Sequence, residues 1–192
     1  MTESGTAERL AAVAQTILLE EGAAAVTMRR VAAAVGVTPM ATYRHFPNRE
    51  ALLRQVVDTM FAELGKTWGQ RPAATFAQRV AGLLDDFLDF ALGKPNLYQY
   101  LITDRRAGVR QFPQDFRDAA SPAFSPVVAA VEQAMADGEL REDDPLEVSL
   151  ALTMPAVGMV QLYLGGRMAM GETDFRALCR RTMERALDGL RA

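Results

Sequence analysis

Residues that carry reactive or metal-binding side chains are scarce in this sequence. It contains one cysteine, Cys179, and one histidine, His45, among 192 residues. A single cysteine cannot form an intrachain disulfide or supply a thiolate cluster for a metal ion. Because the two residues lie far apart in the chain, they do not indicate a catalytic triad. We therefore expect no metal site, no cofactor and no nucleophilic enzyme.

Long apolar runs are also missing. The most apolar stretch, residues 146–164, is interrupted by polar residues and by Pro155 and Gly158. The first residues show no basic segment followed by an apolar one, so we expect a cytoplasmic protein without a membrane partner. Hydrophobic residues make up 49% and charged residues 23%, and the net charge is -3. Any nucleic-acid site must then be a local basic patch on an acidic protein.

Hydrophobic residues recur at helical spacing almost throughout, and alternating strand patterns are rare. Near the N-terminus, a first apolar stripe stops at Gly22, and Thr27 is a natural N-cap for a short second helix ended by Gly36. Thr38, followed by a proline, opens a third helix to about residue 46, and Asn48 can cap a long fourth one. The sequence therefore predicts an all-α fold.

The second and third helices, joined by Gly-Val-Thr, form a helix-turn-helix pattern. Ala32 must be small because the two helices cross there, while Val31 and Val35 fill the space between them. Gly36 provides a turn residue that tolerates positive φ. In this arrangement the third helix lies in the major groove of DNA, with its N-terminal residues facing the base edges.

The charge pattern supports a nucleic-acid interface. Residues 27–49 contain Arg29, Arg30, Arg44 and Arg49 and no acidic residue. Arg49 lies in the first turn of the fourth helix, where the helix dipole disfavours a cation. A nearby phosphate would explain that position, and a solvated arginine is the alternative.

This region resembles the N-terminal domain of TetR-family (TetR/AcrR) regulators. The similar stretch, residues 27–53, reads TMRRVAAAVGVTPMATYRHFPNREALL. It has the Gly-Val turn of that family, a Tyr-x-His-Phe ending and a basic residue followed by Glu-Ala-Leu. Beyond the start of the fourth helix the resemblance is only architectural. It implies a helix-turn-helix DNA-binding domain over residues 1–50 and a larger helical domain for effector binding and dimerisation over residues 51–192.

The resemblance also implies roles for individual residues. Thr27 and Arg29 would contact phosphates, and the start of the third helix would approach the bases. Arg49 takes a position where the family often has lysine. The predicted DNA-binding residues are Thr27, Arg29, Thr38, Pro39, Met40, Ala41, Tyr43, Arg44, His45 and Arg49.

Three residues of the third helix have a structural alternative. Thr42 departs from the family pattern, in which an aliphatic residue is commoner, so we expect its methyl group to pack inward. Phe46 is better explained as core than as a DNA contact. His45 is either a DNA contact, which its place in the pattern favours, or a simple surface residue.

Family members are generally repressors that a small molecule releases from DNA, which implies an effector pocket and a dimer interface. We expect a mostly apolar effector, because aromatic and methionine residues are frequent in the middle of the chain. For each of them, the alternative is intrachain core. The candidate ligand-binding residues are Phe87, Phe90, Tyr98, Phe112, Phe116, Met154, Met159 and Tyr163. The candidate dimer residues, on the last two helices, are Val157, Leu164, Phe175, Leu178, Met183 and Leu187.

Two other functions are open at this stage. Asp85, Asp86 and Asp89 have the spacing with which all-α diphosphate lyases hold magnesium. No second acidic motif follows, so a solvated acidic helix face is the better interpretation. The stronger alternative is a small-molecule-binding protein that keeps the helix-turn-helix fold but no longer binds DNA.

Overall fold

The computed structural model describes residues 3–102, 111–117, 121 and 124–191. Within these residues the regular elements are helical, apart from one isolated antiparallel bridge between Leu140 and Arg191, so the predicted all-α fold is confirmed. The helices are α1 (Glu3–Glu21), α2 (Met28–Val35), α3 (Pro39–Thr42), α4 (Arg49–Thr67), α5 (Phe76–Gly93), α6 (Pro95–Ile102), α7 (Gln114–Arg117), α8 (Ser125–Ala136), α9 (Pro145–Leu164) and α10 (Glu172–Leu190), with a 3₁₀ turn at Ala23–Ala25.

The chain divides into two compact units. The first unit comprises Met1–Glu63 and Lys94–Arg105, and the second comprises Leu64–Gly93 and Arg106–Ala192. Helix α6 therefore belongs to the first unit, although it follows α5 directly in sequence, and α4 contributes residues to both units. Nothing in the sequence pattern indicated that α6 joins the helix-turn-helix; the functional boundary at residue 50 stays a prediction.

In the first unit, α1 packs against α2, α6 and the 3₁₀ turn. Leu10 and Leu18 are fully buried on the inner face of α1, and Val31 and Ala32 are fully buried on α2. Asn96, at the start of α6, donates from Nδ2 to the carbonyl of Leu19 at 2.9 Å. That carbonyl lies in the last turn of α1, where helix carbonyls lack intrahelical donors. The contact fixes α6 to the end of α1.

In the second unit, α5 packs against α8, α9 and α10, and α9 also packs against α8 and α10. Asp144 caps α9 by accepting from the amides of Leu146 at 2.8 Å and Glu147 at 3.4 Å. Phe175, at the start of α10, is fully buried, and its ring stacks on that of Tyr163 with centroids 4.2 Å apart. The predicted starts of α8 and α9 near residues 124 and 145 are confirmed.

The aspartates of α5 are ion-paired, so the expected solvated acidic face is wrong. Asp85 accepts from Arg180 of α10 at 2.8 Å, and Asp89 accepts from Arg71 and from Arg176, each at 2.7 Å. Asp86 pairs with Arg71 and also accepts from the amide of Gly69 at 2.9 Å. The carboxylates hold α5 to α10 and to the segment after α4. They are not arranged around a cation, and the described residues hold no group of three or more potential metal ligands.

Candidate nucleic-acid interface

Local capping builds the helix-turn-helix as the sequence predicts. Thr27 accepts from the amide of Arg30 at 3.2 Å to begin α2, and Thr38 accepts from the amide of Ala41 at 3.2 Å to begin α3. Between them, Gly36 has φ 77° and ψ 34°, the left-handed conformation that ends α2. Its amide and that of Val37 then bond to the last carbonyls of the helix. These local contacts set where α3 starts.

Helix α3 is shorter than expected. It ends at Thr42 instead of near Phe46, and residues 43–45 form turns. The amide of Phe46 still bonds to the carbonyl of Thr42 at 2.9 Å, so the chain keeps a helical course through this segment. Thr42 is 1% exposed and Phe46 is 8% exposed. Both predictions of inward packing are confirmed.

The opposite side of α3 is open to solvent. Met40 is 74% exposed and Tyr43 is 48% exposed, although both are large. Thr38, Pro39 and Arg44 are also exposed, whereas Ala41 and His45 are half-buried. A mostly exposed face that carries threonine, methionine, tyrosine and arginine has donors and apolar groups for base edges and phosphates. The structure therefore brings the residues predicted for α3 onto one accessible surface.

The four arginines of residues 27–49 fall into two classes. Arg29 and Arg44 are exposed and have no hydrogen-bond or ion-pair partner among the described residues. Arg30 instead pairs with Glu21, donating from Nη1 at 2.8 Å. This hydrogen bond lowers the pKa of the Glu21 carboxyl and raises the pKa of the Arg30 guanidinium. Two of the four positive charges are thus available for phosphates, and one is neutralised by the chain itself.

Arg49 has a role within the fold that the sequence did not indicate. Its Nε donates to the carbonyl of Val26 at 2.7 Å, and its Nη2 donates to the carbonyl of Ala23. Its Nη1 lies 3.4 Å from a carboxylate oxygen of Glu50. These contacts explain a cation in the first turn of α4 without a phosphate. A DNA contact by Arg49 stays a prediction.

A further arginine supports the turn from behind. Arg9 of α1 donates from Nη2 to the carbonyl of Val35 at 2.7 Å. Val35 is the last residue of α2, where a carbonyl lacks an intrahelical donor and a cation is favoured by the helix dipole. Arg9 therefore fixes the end of α2, and with it the start of the turn, to α1.

The candidate ligand-binding residues do not form one group. Tyr98 is fully buried in the first unit, and Met154 is 46% exposed on α9. Met159 and Tyr163 lie between α9 and α10, where Thr182 Oγ1 is 3.9 Å from Met159 Sδ. The remaining candidates are Phe87, half-buried on α5, and three residues in two aromatic contacts of the second unit: Phe90 with Trp68, and Phe112 with Phe116. The sequence did not single out Trp68, which contributes to the first of these contacts.

The candidate dimer residues divide between core and surface. Phe175, Met183 and Leu187 are 0%, 7% and 5% exposed, so they serve the core of one chain. Val157 and Leu178 are half-buried, and Leu164 is 37% exposed. The most open apolar side chains on α9 are instead Met154 and Leu162, each 46% exposed.

Helix α9 is also, among the described residues, the one helix long and apolar enough to cross a bilayer by length and composition. Its buried face packs on α8 and α10 as in a soluble helical core. The exposed face, which carries Met154, Pro155, Gly158 and Leu162, is a surface that the spacing of apolar residues alone could not distinguish from the core face.

Comparisons with known proteins agree with this geometry. Residues 10–56 match the family described as bacterial regulatory proteins, tetR family, and residues 80–186 match the tetracyclin repressor-like C-terminal domain. The nucleoid occlusion factor SlmA of Vibrio cholerae is 25% identical over 140 residues, which are 70% of this chain and 68% of that protein.

Solved structures share the fold over almost the whole chain. A protein of unknown function from Rhodococcus sp. RHA1 has a TM-score of 0.78 at 21% identity and covers 97% of this chain and 96% of its own. AibR, solved with isovaleryl coenzyme A and operator DNA, has a TM-score of 0.65 at 17% identity and covers 93% of this chain and 97% of its own.

The match to the C-terminal family spans more than half of the chain, and the match to the N-terminal family covers the helix-turn-helix described above. The chain belongs to the TetR family and is a DNA-binding transcriptional regulator, not an enzyme.

Proposed function

We propose that this regulator is a homodimeric repressor that binds a palindromic operator and is released from it by a small, mostly apolar effector. The observation that carries the proposal is the exposed face of α3, flanked by two arginines without intrachain partners. Met40 and Tyr43 are largely exposed there, and Arg29 and Arg44 are free to contact phosphates. An exposed tyrosine, methionine and arginine surface with no acidic residue suits a DNA groove better than water.

DNA contacts follow from the capping geometry. Thr38 begins α3 with its side chain at the N-terminal end, so the amides there face outward with Met40 beside them. We assign base contacts to Thr38, Pro39, Met40 and Ala41, and backbone or base contacts to Tyr43 and His45. Arg29, Arg44 and Thr27 contact phosphates. Arg49 is retained as a DNA contact only through its Nη1, since its other nitrogens bond within the chain.

A homodimer accounts for the exposed apolar face of α9. Met154 and Leu162 lie eight residues apart, about two helical turns, and both are 46% exposed. A twofold axis at this face would bury the same residues from both copies, as symmetric dimers do. The dimer then presents two α3 helices to half-sites about 34–36 Å apart, or a multiple of that spacing.

Effector release rests on the second unit. AibR, which shares the fold, was solved with both a small molecule and operator DNA. We assign this chain the same two classes of partner, a small-molecule effector and double-stranded DNA, and place it in the cytoplasm. The effector site lies among the aromatic residues of the second unit.

Footprinting on the DNA upstream of the chain's own gene tests the proposal. We expect a protected palindrome whose affinity falls steeply with salt, and we expect Arg29→Ala and Tyr43→Ala each to weaken protection at least tenfold. The double variant Glu21→Gln/Arg30→Gln is the matched control, because it removes a neutral pair beside the same helix. Absence of sequence-specific binding, with both variants equal to the wild type, would favour the alternative of a ligand-binding protein that has lost DNA binding.

A further inference from the structure

Two polar groups in the second unit are buried without a hydrogen-bond partner. They are Nε1 of Trp68 and Oγ of Ser125, and they are the only such side-chain atoms in the described part of the chain. Trp68 is 7% exposed, so water does not satisfy its indole N–H. A buried donor left unpaired destabilises a fold by as much as a hydrogen bond stabilises it, and native proteins rarely keep one without a reason.

The two orphan groups belong to neighbouring segments. Trp68 precedes Gly69 and Ser125 precedes Pro126, and a Cβ placed on Gly69 would lie 3.5 Å from Pro126 Cβ. The end of α4 therefore touches the start of α8 at this point. Two unpaired hydrogen-bonding groups on adjoining segments indicate one site with two polar positions.

Aromatic rings flank both groups. Trp68 meets Phe90 edge to face, with ring centroids 6.0 Å apart. Next to Ser125, Phe124 meets Phe116 edge to face at 5.4 Å, and Phe116 in turn meets Phe112 at 6.1 Å. Phe112 is 48% exposed, so this row of rings runs from the surface to the buried start of α8. Ligand sites commonly combine such apolar walls with a small number of placed polar groups.

We propose that Trp68 and Ser125 together bind the hydrogen-bond-accepting oxygen of a neutral, mostly apolar molecule. An indole N–H can only donate, so its missing partner is an acceptor, and the Ser125 hydroxyl can donate to the same oxygen. The aromatic neighbours fit an apolar body attached to that oxygen. This inference rests on the proposed function, because it names the chemistry of the effector.

The charges nearby favour a neutral oxygen over a carboxylate. Asp86 is held at this end of α4 by the amide of Gly69 and by Arg71. Arg79 donates to the carbonyl of Gly69 at 3.3 Å and has no carboxylate partner among the described residues. A carboxylate between two neutral donors and beside Asp86 would lose most of its hydration without a dedicated cation. A ketone, ether or ester oxygen carries a far smaller desolvation cost.

Trp68 is the only tryptophan in the chain, so it gives a single indole signal in a ¹H–¹⁵N spectrum. The test titrates the full-length protein with acetophenone and with ethylbenzene, which differ mainly by one carbonyl oxygen. We expect acetophenone to move the indole proton downfield, as a new hydrogen bond does, and to bind about tenfold more tightly by calorimetry. Benzoate tests the charged alternative.

Two variants separate recognition from folding. Trp68→Phe keeps a ring against Phe90 but removes the donor, and Ser125→Ala keeps the indole signal. Each is expected to lower acetophenone affinity about tenfold and to leave ethylbenzene affinity unchanged. Three results would each overturn the proposal: an unmoved indole signal, equal affinities for acetophenone and ethylbenzene in the wild type, or tighter binding of benzoate.

The same samples separate this inference from the proposed function. DNA binding without added ligand does not involve Trp68, so Trp68→Phe should footprint like the wild type. If the indole signal fails to move while the footprint is intact, the acceptor site is wrong and the regulator remains. If the wild type gives no footprint but acetophenone moves the signal, the repressor proposal is wrong and the ligand site remains.

Discussion

Arg49 donates from Nε to the main-chain carbonyl of Val26 at 2.7 Å. The donor is the first residue of α4, and the acceptor lies between the 3₁₀ turn and α2. One guanidinium therefore joins the start of α4 to the segment that leads into the helix-turn-helix. Because α4 continues into the second unit, this residue lies on the covalent route between the effector domain and the DNA-binding helices.

Replacing Arg49 tests whether this role is structural. Arg49→Ala leaves two carbonyls without donors, and we expect the free energy of unfolding to fall by about 1–3 kcal/mol in urea titrations. Arg49→Lys keeps the charge but cannot donate in a fork, so its effect should be intermediate. Arg44→Ala, at an exposed arginine without an intrachain partner, should stay within about 0.5 kcal/mol of the wild type. Equal stability of the two alanine variants would contradict the structural role.

Gly36 ends α2 with φ 77°, and nothing lies within 4 Å of the position that a Cβ would take. Gly36→Ala therefore tests backbone strain without steric overlap, and we expect a loss of about 1–2 kcal/mol. Gly189→Ala is the matched control, since that site is also open but lies inside α10. There alanine should stabilise by about 0.5–1 kcal/mol. A loss at both sites would indicate that the strain argument is wrong.

The α9 face can be tested through the oligomeric state. Leu162→Glu places a charge on an exposed apolar position, so the fold of one chain should survive while the dimer dissociates. Sedimentation should then show a monomer at concentrations where the wild type is a dimer. Ala129→Glu adds the same charge at an exposed position of α8 and should leave the dimer intact. A Leu162→Glu dimer as tight as the wild type would place the interface elsewhere.

Cys179 is 1% exposed on α10, and burial raises the pKa of its thiol to about 11. Because the folded protein keeps the thiol protonated, this contribution to stability is complete below its ordinary pKa of 9.0 and is lost between pH 9.0 and about 11. We expect iodoacetamide to label native Cys179 far more slowly than the urea-unfolded chain at pH 8. Cys179→Ala should flatten the alkaline decline of stability. Fast native labelling would show that the thiol is accessible.

Local chemistry explains why the helix-turn-helix was predictable. Thr27, Gly36 and Thr38 act on residues within four positions of themselves, so capping and turn rules identify them from sequence. The inward packing of Thr42 and Phe46 followed from helical spacing in the same way. The short α3 was missed because the turns after Thr42 preserve the helical spacing of buried side chains.

Partners distant in sequence were not predictable. Asp85 meets Arg180 across 95 positions, and its acidic neighbourhood suggested a solvated face when the chain was read locally. Arg49 similarly finds carbonyls 23 and 26 positions away, where the local rule suggested a phosphate. Phe175 has the spacing expected of either a core or a dimer helix face, and only its packing against Tyr163 identifies it as core.

The central claim is that DNA binding depends on the two arginines without intrachain partners. The most direct measurement is the slope of log affinity against log salt concentration for operator DNA. We predict that Arg29→Ala and Arg44→Ala each reduce that slope by about one per protomer's contact, whereas Glu21→Gln/Arg30→Gln leaves it unchanged. Equal slopes for the wild type and all three variants would contradict the account.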